Sequence, residues 1–129
     1  MNLLGLRETS VYGDMVLEEL IHNLKTEFAD HTIFHFQSNH EGDIIDLLHE
    51  IGFSCDGIVL NAAGYTHTSI AIADAVSAIS VPVVEVHISD ISSRESFRQQ
   101  SYLKEVCVKS IMGKGTKGYS EAIEYLLNQ

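Results

Sequence analysis

The stretch IVLNAAGYTHTSIAIADAVSAISVPVVEVHI, residues 58–88, contains three apolar segments separated by polar turns. Segments 58–60 and 82–88 have the length of buried strands, whereas 69–79 is apolar on nearly all sides and has the length of a helix. A strand, a helix and a second strand in this order predict two parallel strands joined by a crossover helix. Because these strands are continuously apolar, we expect helices on both faces of the sheet.

The elements on either side of this unit are predicted from the same periodicities. In chain order they are a helix over 15–28, a strand over 31–37, a helix over 41–50, a strand over 106–112 and a helix over 119–127. Gly13 and Asp14 could form the turn and N-cap of the first helix, and Asn39 could cap the second. No repeat, linker or low-complexity tract interrupts the sequence, so residues 1–129 are predicted to form a single α/β domain.

The composition is that of an ordinary globular protein and excludes several classes. With 45% hydrophobic and 20% charged residues, the chain is not expected to be intrinsically disordered. No apolar run has the length of a membrane helix, and the opening MNLLGLRETS lacks the pattern of a secretory signal. Cys55 and Cys107 provide neither a disulfide framework nor a metal-ligand spacing. We therefore expect two free thiols in a reducing, cytoplasmic environment.

The net charge argues against one kind of partner. Eight basic and 18 acidic residues give a formal net charge of −10, whereas affinity for nucleic acid rests on basic contacts to phosphate. A small anionic substrate is still compatible, because a local group of cations can oppose the overall field. Arginine suits the two-pronged recognition of a carboxylate, and the sequence has three: Arg7, Arg94 and Arg98.

Polar residues follow three of the predicted strands. They are QSNHE at 37–41, NAAGYTHTS at 61–69 and HIS at 87–89, the last followed by Arg94 and Arg98. Parallel α/β sheets bind their ligands beyond the carboxyl ends of the strands. The sequence therefore predicts a ligand site along this edge of the sheet.

Two histidines at this edge have a structural as well as a functional interpretation. His87 ends an apolar strand, so it is either a hydrogen-bonded structural residue or a general acid or base. Glu85 lies on the same face of that strand and could support His87 through a loop or a water molecule. His67 lies among hydroxyl residues, ending at Ser69, that could cap the following helix, and a histidine beside a cap is often only structural.

The arginines and one tyrosine are similarly open to two interpretations. Arg94 and Arg98 are four residues apart, so on a helix they would share a face. Their structural interpretation is a solvated face that forms surface ion pairs, and their functional one is binding of an anion. Arg7 and Tyr12 lie in a glycine-flanked segment of the kind that forms a mobile lid, although a tyrosine in a loop usually serves packing.

Other motifs that would indicate a particular chemistry are not found in the sequence. The sequence has no phosphate-binding P-loop, no nucleophile elbow and no metal-triad spacing of histidines and carboxylates. Gly113, Gly115 and Gly118 have the spacing of a dinucleotide loop but follow the last strand, with no second βαβ unit after them. A response-regulator-like receiver would need acidic residues at the ends of its early strands and a lysine at the end of a late one, where this chain has Asn61 and His87.

Taken together, these segments resemble type II dehydroquinase, the 3-dehydroquinate dehydratase of the shikimate and quinate pathways. The resemblance extends over essentially the whole chain. Its motifs are NLLGxRE at 2–8 with Tyr12-Gly13, FQSNHEG at 36–42, NAAGYTHTS at 61–69, VEVHIS at 84–89, RExFR at 94–98 and GxGxxGY at 113–119.

The family implies a flavodoxin-like doubly wound parallel sheet with helices on both faces and a dodecamer built of four trimers. It also implies dehydration of 3-dehydroquinate to 3-dehydroshikimate, by trans-elimination through an enolate and without a metal or cofactor. By motif match, Tyr12 resembles the base that removes a proton from C2, and Arg7 would stabilise the tyrosinate. His87 resembles the general acid for the departing C1 hydroxyl, with Glu85 as its supporting carboxylate.

The remaining matches are contacts to the substrate. They are Asn61, which would also orient His87, then His67, the backbone amides of Ile88 and Ser89, Arg98, the lid-side Arg94, and Asp74, which would reach the site of a neighbouring subunit.

The chain departs from the family pattern at three places. Met1 stands inside the first motif, so we expect the usual Asn-Gly-Pro-Asn segment and the first strand of the fold to be missing, and the natural protein to begin further upstream. Gln100 replaces a histidine, and Ala62-Ala63-Gly64 replaces Pro-Gly-Ala. Two alternatives remain: a catalytically impaired or inactive assembly protein of the same family, and a flavin-binding module that would use the hydroxyl-rich loop 66–69.

Overall fold

The computed structural model describes residues 16–129, in which helices alternate with short strands. The α-helices of this part are α1 (Leu17–Glu27), α2 (Glu41–Ile51), α3 (Ile70–Ala78) and α4 (Lys117–Leu127). The strands are β1 (Ile58–Leu60), β2 (Val83–His87) and β3 (Lys109–Met112), and 3-10 turns occupy Ala63–His67, Ile91–Ser93 and Ser96–Arg98. None of the helices among residues 16–129 is long and apolar enough to cross a membrane.

The strands form a parallel sheet in the order β1-β2-β3. Helix α3 connects β1 to β2, as the apolar pattern of residues 58–88 predicts. All five residues of β2 are buried. This burial is typical of a strand that has a neighbouring strand on each side and helices on both faces of the sheet. The predicted α/β class with a covered parallel sheet is therefore confirmed.

The side chains of β2 alternate between two packed layers. Val84 and Val86 face α4, where they form one apolar cluster with Ala122. Val83 faces the opposite layer and packs in the cluster formed by α2 and α3. Glu85 and His87 follow Val83 at intervals of two residues, so they lie on the same face as that residue.

Gly118 explains how closely α4 approaches the sheet. A Cβ at this position would lie 3.2 Å from Val86 Cγ1 and 3.4 Å from Ile111 Cγ2. Only a residue without a side chain allows this contact without displacement of the sheet. The last glycine of the GxGxxG pattern thus serves helix–sheet packing.

The predicted strand over 31–37 is wrong. Residues 32–37 have no strand structure, and Phe34 is 92% exposed. The alternation of this segment suits a strand, but a strand exists only where a neighbour pairs with its backbone N–H and C=O groups. Within residues 16–129 no neighbouring segment supplies that pairing.

The boundaries of several elements also differ from the sequence predictions. Strand β3 begins at Lys109 rather than 106, because the amides of Val106 and Cys107 turn back to the carbonyl of Leu103. Asn39 does not cap α2, since His40 is the N-cap residue and makes no side-chain cap bond. The predicted cap at Gly13 and Asp14 lies outside the described residues.

The hydroxyl cap of α3 is present at one of the predicted positions. Ser69 Oγ accepts a hydrogen bond from Ile72 N at 2.9 Å and donates one to the carboxylate of Glu41. This pair of bonds fixes the first turn of α3 and joins it to the start of α2. The end of the loop that precedes α3 is therefore fixed.

Candidate active site

The carboxyl end of the central strand carries a buried carboxylate–imidazole pair. Glu85 Oε2 lies 2.9 Å from His87 Nε2, and the two side chains are 0% and 6% exposed. The sequence predicted that a loop or a water molecule would mediate this support, whereas the contact is direct. Because a carboxylate accepts hydrogen bonds, His87 Nε2 carries the donated proton and Nδ1 is left for a ligand.

Glu85 is also held by two serine hydroxyls. Ser101 Oγ donates to Oε2 at 2.8 Å, and Ser110 Oγ on β3 donates to Oε1 at 2.5 Å. Burial raises the pKa of Glu85, but the bonds from His87, Ser110 and Ser101 outweigh it, so that the pKa lies below the usual range of a glutamate. The group is therefore an ionised carboxylate in the protein interior at neutral pH.

Asn61 follows β1 and lies at the same edge of the sheet. Its Nδ2 donates to the hydroxyl oxygen of Tyr119 at 2.7 Å, and its Oδ1 accepts from Ala63 N at 3.0 Å. Ala63 has a positive φ of 51°, a conformation that favours glycine. The tight turn after β1 thus sets the orientation of the Asn61 amide.

His67 ends the 3-10 turn that follows Asn61. Its Nδ1 lies 2.7 Å from the carbonyl oxygen of Gln100. A carbonyl only accepts, so Nδ1 carries the proton of the neutral ring and Nε2 is the acceptor. This tautomer suits contact with a hydroxyl group of a ligand.

Arg94 and Arg98 do not lie on a common helix, the condition under which they would share a face. Arg94 follows one 3-10 turn and Arg98 ends the next, because the chain bends between them at Glu95. The Nε atoms of the two arginines lie 3.8 and 3.3 Å from Glu95 Oε2. Arg94 also donates to Ser89 Oγ at 3.2 Å, which brings the arginine segment to the end of β2.

The backbone beyond His87 is held by the glycine loop. Ile88 is buried, and its carbonyl accepts from Gly115 N at 3.0 Å. Gly113 and Gly115 have φ values of +77° and +59°, so this loop requires glycine there. The loop packs beside the amides of Ile88 and Ser89, the backbone groups that the family resemblance implies as substrate contacts.

Of the other site residues that the sequence singled out, Asp74 is not part of this group. Asp74 lies on the exposed side of α3, the face that also carries Ile70 and Ser77. Arg7 and Tyr12 lie outside the described residues.

Three residues that hold the site were not predicted from the sequence. Ser110 stands directly opposite Glu85 in the parallel register of β2 and β3. The predicted strands 82–88 and 106–112, aligned end to end, would instead place Lys109 opposite Glu85. Ser101 and Tyr119 carry no local signal, because their partners Glu85 and Asn61 are distant in sequence.

The whole chain matches one known family. The sequence model described as dehydroquinase class II matches residues 1–127. The chain belongs to the type II dehydroquinase family. A 3-dehydroquinate dehydratase from Exiguobacterium sp. is 51% identical over 128 residues, which cover 98% of this chain and 88% of that relative. A catabolic 3-dehydroquinase from Verticillium alfalfae is 46% identical over 127 residues, which cover 97% and 85%.

Solved structures of the family have the same fold. The type II dehydroquinase from Butyrivibrio crossotus superposes with a TM-score of 0.92 at 43% identity, over 98% of this chain and 90% of that one. The type II dehydroquinase from Propionibacterium acnes gives a TM-score of 0.93 at 31% identity, over 99% and 90%. The fold is therefore the flavodoxin-like α/β fold of type II dehydroquinases.

Proposed function

We propose that this chain is a hydro-lyase that dehydrates 3-dehydroquinate to 3-dehydroshikimate in the shikimate or quinate pathway. The observation that carries the proposal is the buried Glu85–His87 pair at the carboxyl end of the central strand. Asn61 follows β1 and His67 ends the next 3-10 turn, and Arg94 and Arg98 follow β2. This site combines a proton donor, groups that can bind hydroxyls, and cations. Such a combination suits a substrate that has several hydroxyl groups and a carboxylate.

The elimination would proceed in two proton transfers around an enolate. Tyr12, as a tyrosinate stabilised by Arg7, would take the proton from C2, and the electron pair would move onto the ketone oxygen. Collapse of the enolate would expel the C1 hydroxyl. His87, as an imidazolium with protons on both ring nitrogens, would give its Nδ1 proton to this hydroxyl so that it leaves as water, and would keep the Nε2 proton toward Glu85. Glu85 would keep Nε2–H of His87 oriented throughout, because its carboxylate is held from both oxygens.

The remaining groups would bind the substrate. Arg98 and the amides of Ile88 and Ser89 would take the carboxylate, with Arg94 closing the site from the lid side. Asn61 and His67 would contact the substrate hydroxyls, and the His67 tautomer set by Gln100 supports an acceptor role for Nε2. No step of this scheme calls for a metal or cofactor.

We further propose that residues 1–129 form one domain and that twelve copies assemble as four trimers. The support is the outer face of α3, where Ile70 is 60% exposed in the single chain. Asp74 lies on that face, so a neighbouring subunit could receive it at its site. A cytoplasmic location is consistent with Cys55 and Cys107, which are both free.

The enone chromophore of 3-dehydroshikimate provides the decisive test. We expect the purified chain to produce a rise in ultraviolet absorbance when 3-dehydroquinate is added, without added metal and in the presence of a chelator. A folded protein that gives no rise at any concentration of substrate would contradict the proposed function.

A further inference from the structure

We propose that Ser101 is a positioning residue for this reaction, which holds Glu85 Oε2 and so connects the arginine segment to the proton donor. The inference rests on the proposed function, in which His87 is the acid. Ser101 Oγ and His87 Nε2 reach the same oxygen of Glu85, at 2.8 and 2.9 Å. Ser110 occupies the other oxygen, so each oxygen of the carboxylate receives at least one hydrogen bond.

Ser101 is itself fixed by its neighbours in the chain. Its Oγ accepts from Leu103 N at 3.2 Å, and Leu103 is 1% exposed in the core. On either side, Gln100 O meets His67 Nδ1 at 2.7 Å and Tyr102 N donates to Thr66 O at 3.0 Å. Residues 100–103 are therefore attached to the 66–67 turn, to the core and to Glu85 at once.

The two serines hold Glu85 from different parts of the fold. Ser110 belongs to β3 and forms part of the rigid sheet. Ser101 follows Arg98 by three residues, so it belongs to the segment that would bind the substrate carboxylate. The position of Arg98 and the orientation of the Glu85–His87 pair thus depend on the same short stretch of backbone.

Few titratable side chains face Glu85 in the described part of the chain, so its hydrogen bonds, including that from Ser101, determine the stability of its charge. The titratable side chains that face Glu85 in the described part of the chain are His87 on β2 and Cys107 before β3. Burial and the charge of Glu85 raise the pKa of the Cys107 thiol to about 12, so it stays neutral. The ionised form of Glu85 is accordingly stabilised by three hydrogen bonds, and loss of one should raise its pKa.

The first test is the pH profile of kcat in the full-length chain. We expect Ser101→Ala to lower kcat about tenfold with KM changed less than about twofold, and to move the acidic limb up by about one pH unit. Ser101→Thr, which keeps a hydroxyl, should restore both. The matched control is Ser80→Ala, since that hydroxyl bonds only Gly52 O in the described structure. An acidic limb that stays at the wild-type position in Ser101→Ala would overturn the proposal.

A second readout does not depend on turnover. The ionised form of Glu85 stabilises the fold above the pKa of an unfolded glutamate, and this stabilisation is lost as the pH falls through the lower folded pKa. Ser101→Ala should therefore show a smaller fall in Tm between pH 7 and pH 3 than wild type and Ser80→Ala. An equal fall in all three proteins would contradict the proposal even if the enzyme is active. If wild type lacks dehydratase activity but the Tm difference appears, the proposed function fails while the Ser101–Glu85 coupling stands.

A near-isosteric variant covers the case in which Ser101→Ala does not fold. Ser101→Cys keeps the size of the side chain and has a weaker donor. We expect the acidic limb of Ser101→Cys to be displaced upward from its wild-type position by less than one pH unit. Its fall in Tm between pH 7 and pH 3 should be smaller than in wild type and Ser101→Thr, but larger than the fall expected when no hydroxyl or thiol is present. Wild-type values for both measurements would count against the role of Ser101.

Discussion

His67 Nδ1 lies 2.7 Å from the backbone carbonyl oxygen of Gln100, and the Gln100 side chain is exposed. The family resemblance implies a histidine at this position, and the contact to His67 uses only the backbone of residue 100. Any residue supplies the carbonyl that fixes the His67 tautomer. We therefore expect the side chain at position 100 to tolerate substitution.

Replacement of Gln100 should have little effect on catalysis. We expect Gln100→His and Gln100→Ala to keep kcat/KM for 3-dehydroquinate within about twofold, because neither removes the carbonyl. His67→Ala should lower kcat/KM by at least about tenfold, since it removes the acceptor for a substrate hydroxyl. A large loss in Gln100→Ala would show that the side chain contacts the substrate.

The proposed base and acid are tested by substitution of each. Tyr12→Phe should abolish turnover while the fold and ligand binding are preserved, and His87→Ala should lower kcat by several orders of magnitude. Steady-state rates and circular dichroism measure the two effects. Either role would be withdrawn if the folded variant kept more than about a tenth of the rate.

Glu85→Gln should destabilise the protein in a pH-dependent way. The glutamine presents an NH2 group to donors that need an acceptor, so the free energy of unfolding at pH 7 should fall by about 3 kcal/mol. The pKa of Glu85 is lowered in the folded protein, so its stabilisation is present above the unfolded pKa and is lost as the pH falls through the folded pKa. Denaturant melts should show the gap between wild type and variant shrinking from pH 7 to pH 3. A gap that is constant over this range would contradict an ionised Glu85.

Ala63→Gly should stabilise the turn after β1. Ala63 has φ 51°, a region in which an L-residue is strained by about 1 kcal/mol or more. Glycine removes this strain, but part of the gain is lost because glycine makes the unfolded chain more flexible. We expect a net gain of up to about 1 kcal/mol in thermal melts. The matched control is Ala71→Gly on the exposed side of α3, which should cost about 1 kcal/mol. A loss in Ala63→Gly as large as in the control would show that the turn carries no strain.

Ile70→Glu should weaken the proposed assembly. The substitution places a charge on the exposed face of α3 and removes little from the core of the single chain, because Ile70 is 60% exposed. Light scattering should give the mass of a dodecamer for wild type and a smaller mass for the variant. A wild-type chain that is monomeric at micromolar concentration would contradict the assembly and the role of Asp74 in a neighbouring site.

The sequence by itself determined the strand–helix–strand unit of residues 58–88 and the pairing of the proposed acid with its carboxylate. Both depend on local information. The apolar lengths of 58–60, 69–79 and 82–88 distinguish strands from a helix, and a separation of two residues places Glu85 and His87 on one face of a strand. The motifs around these two residues indicated the family, and the match of residues 1–127 to the family model then confirmed it.

Only the tertiary structure decided which residues hold the site and which extended segment becomes a strand. Asn61 and Tyr119 are 58 positions apart, and Glu85 receives hydroxyls from positions 16 and 25 residues away. Residues 32–37 have the pattern of a strand but not its structure. The physical reason is common to both: a hydrogen bond needs its second partner in place, and folding of the distant chain, not the local pattern, brings that partner there.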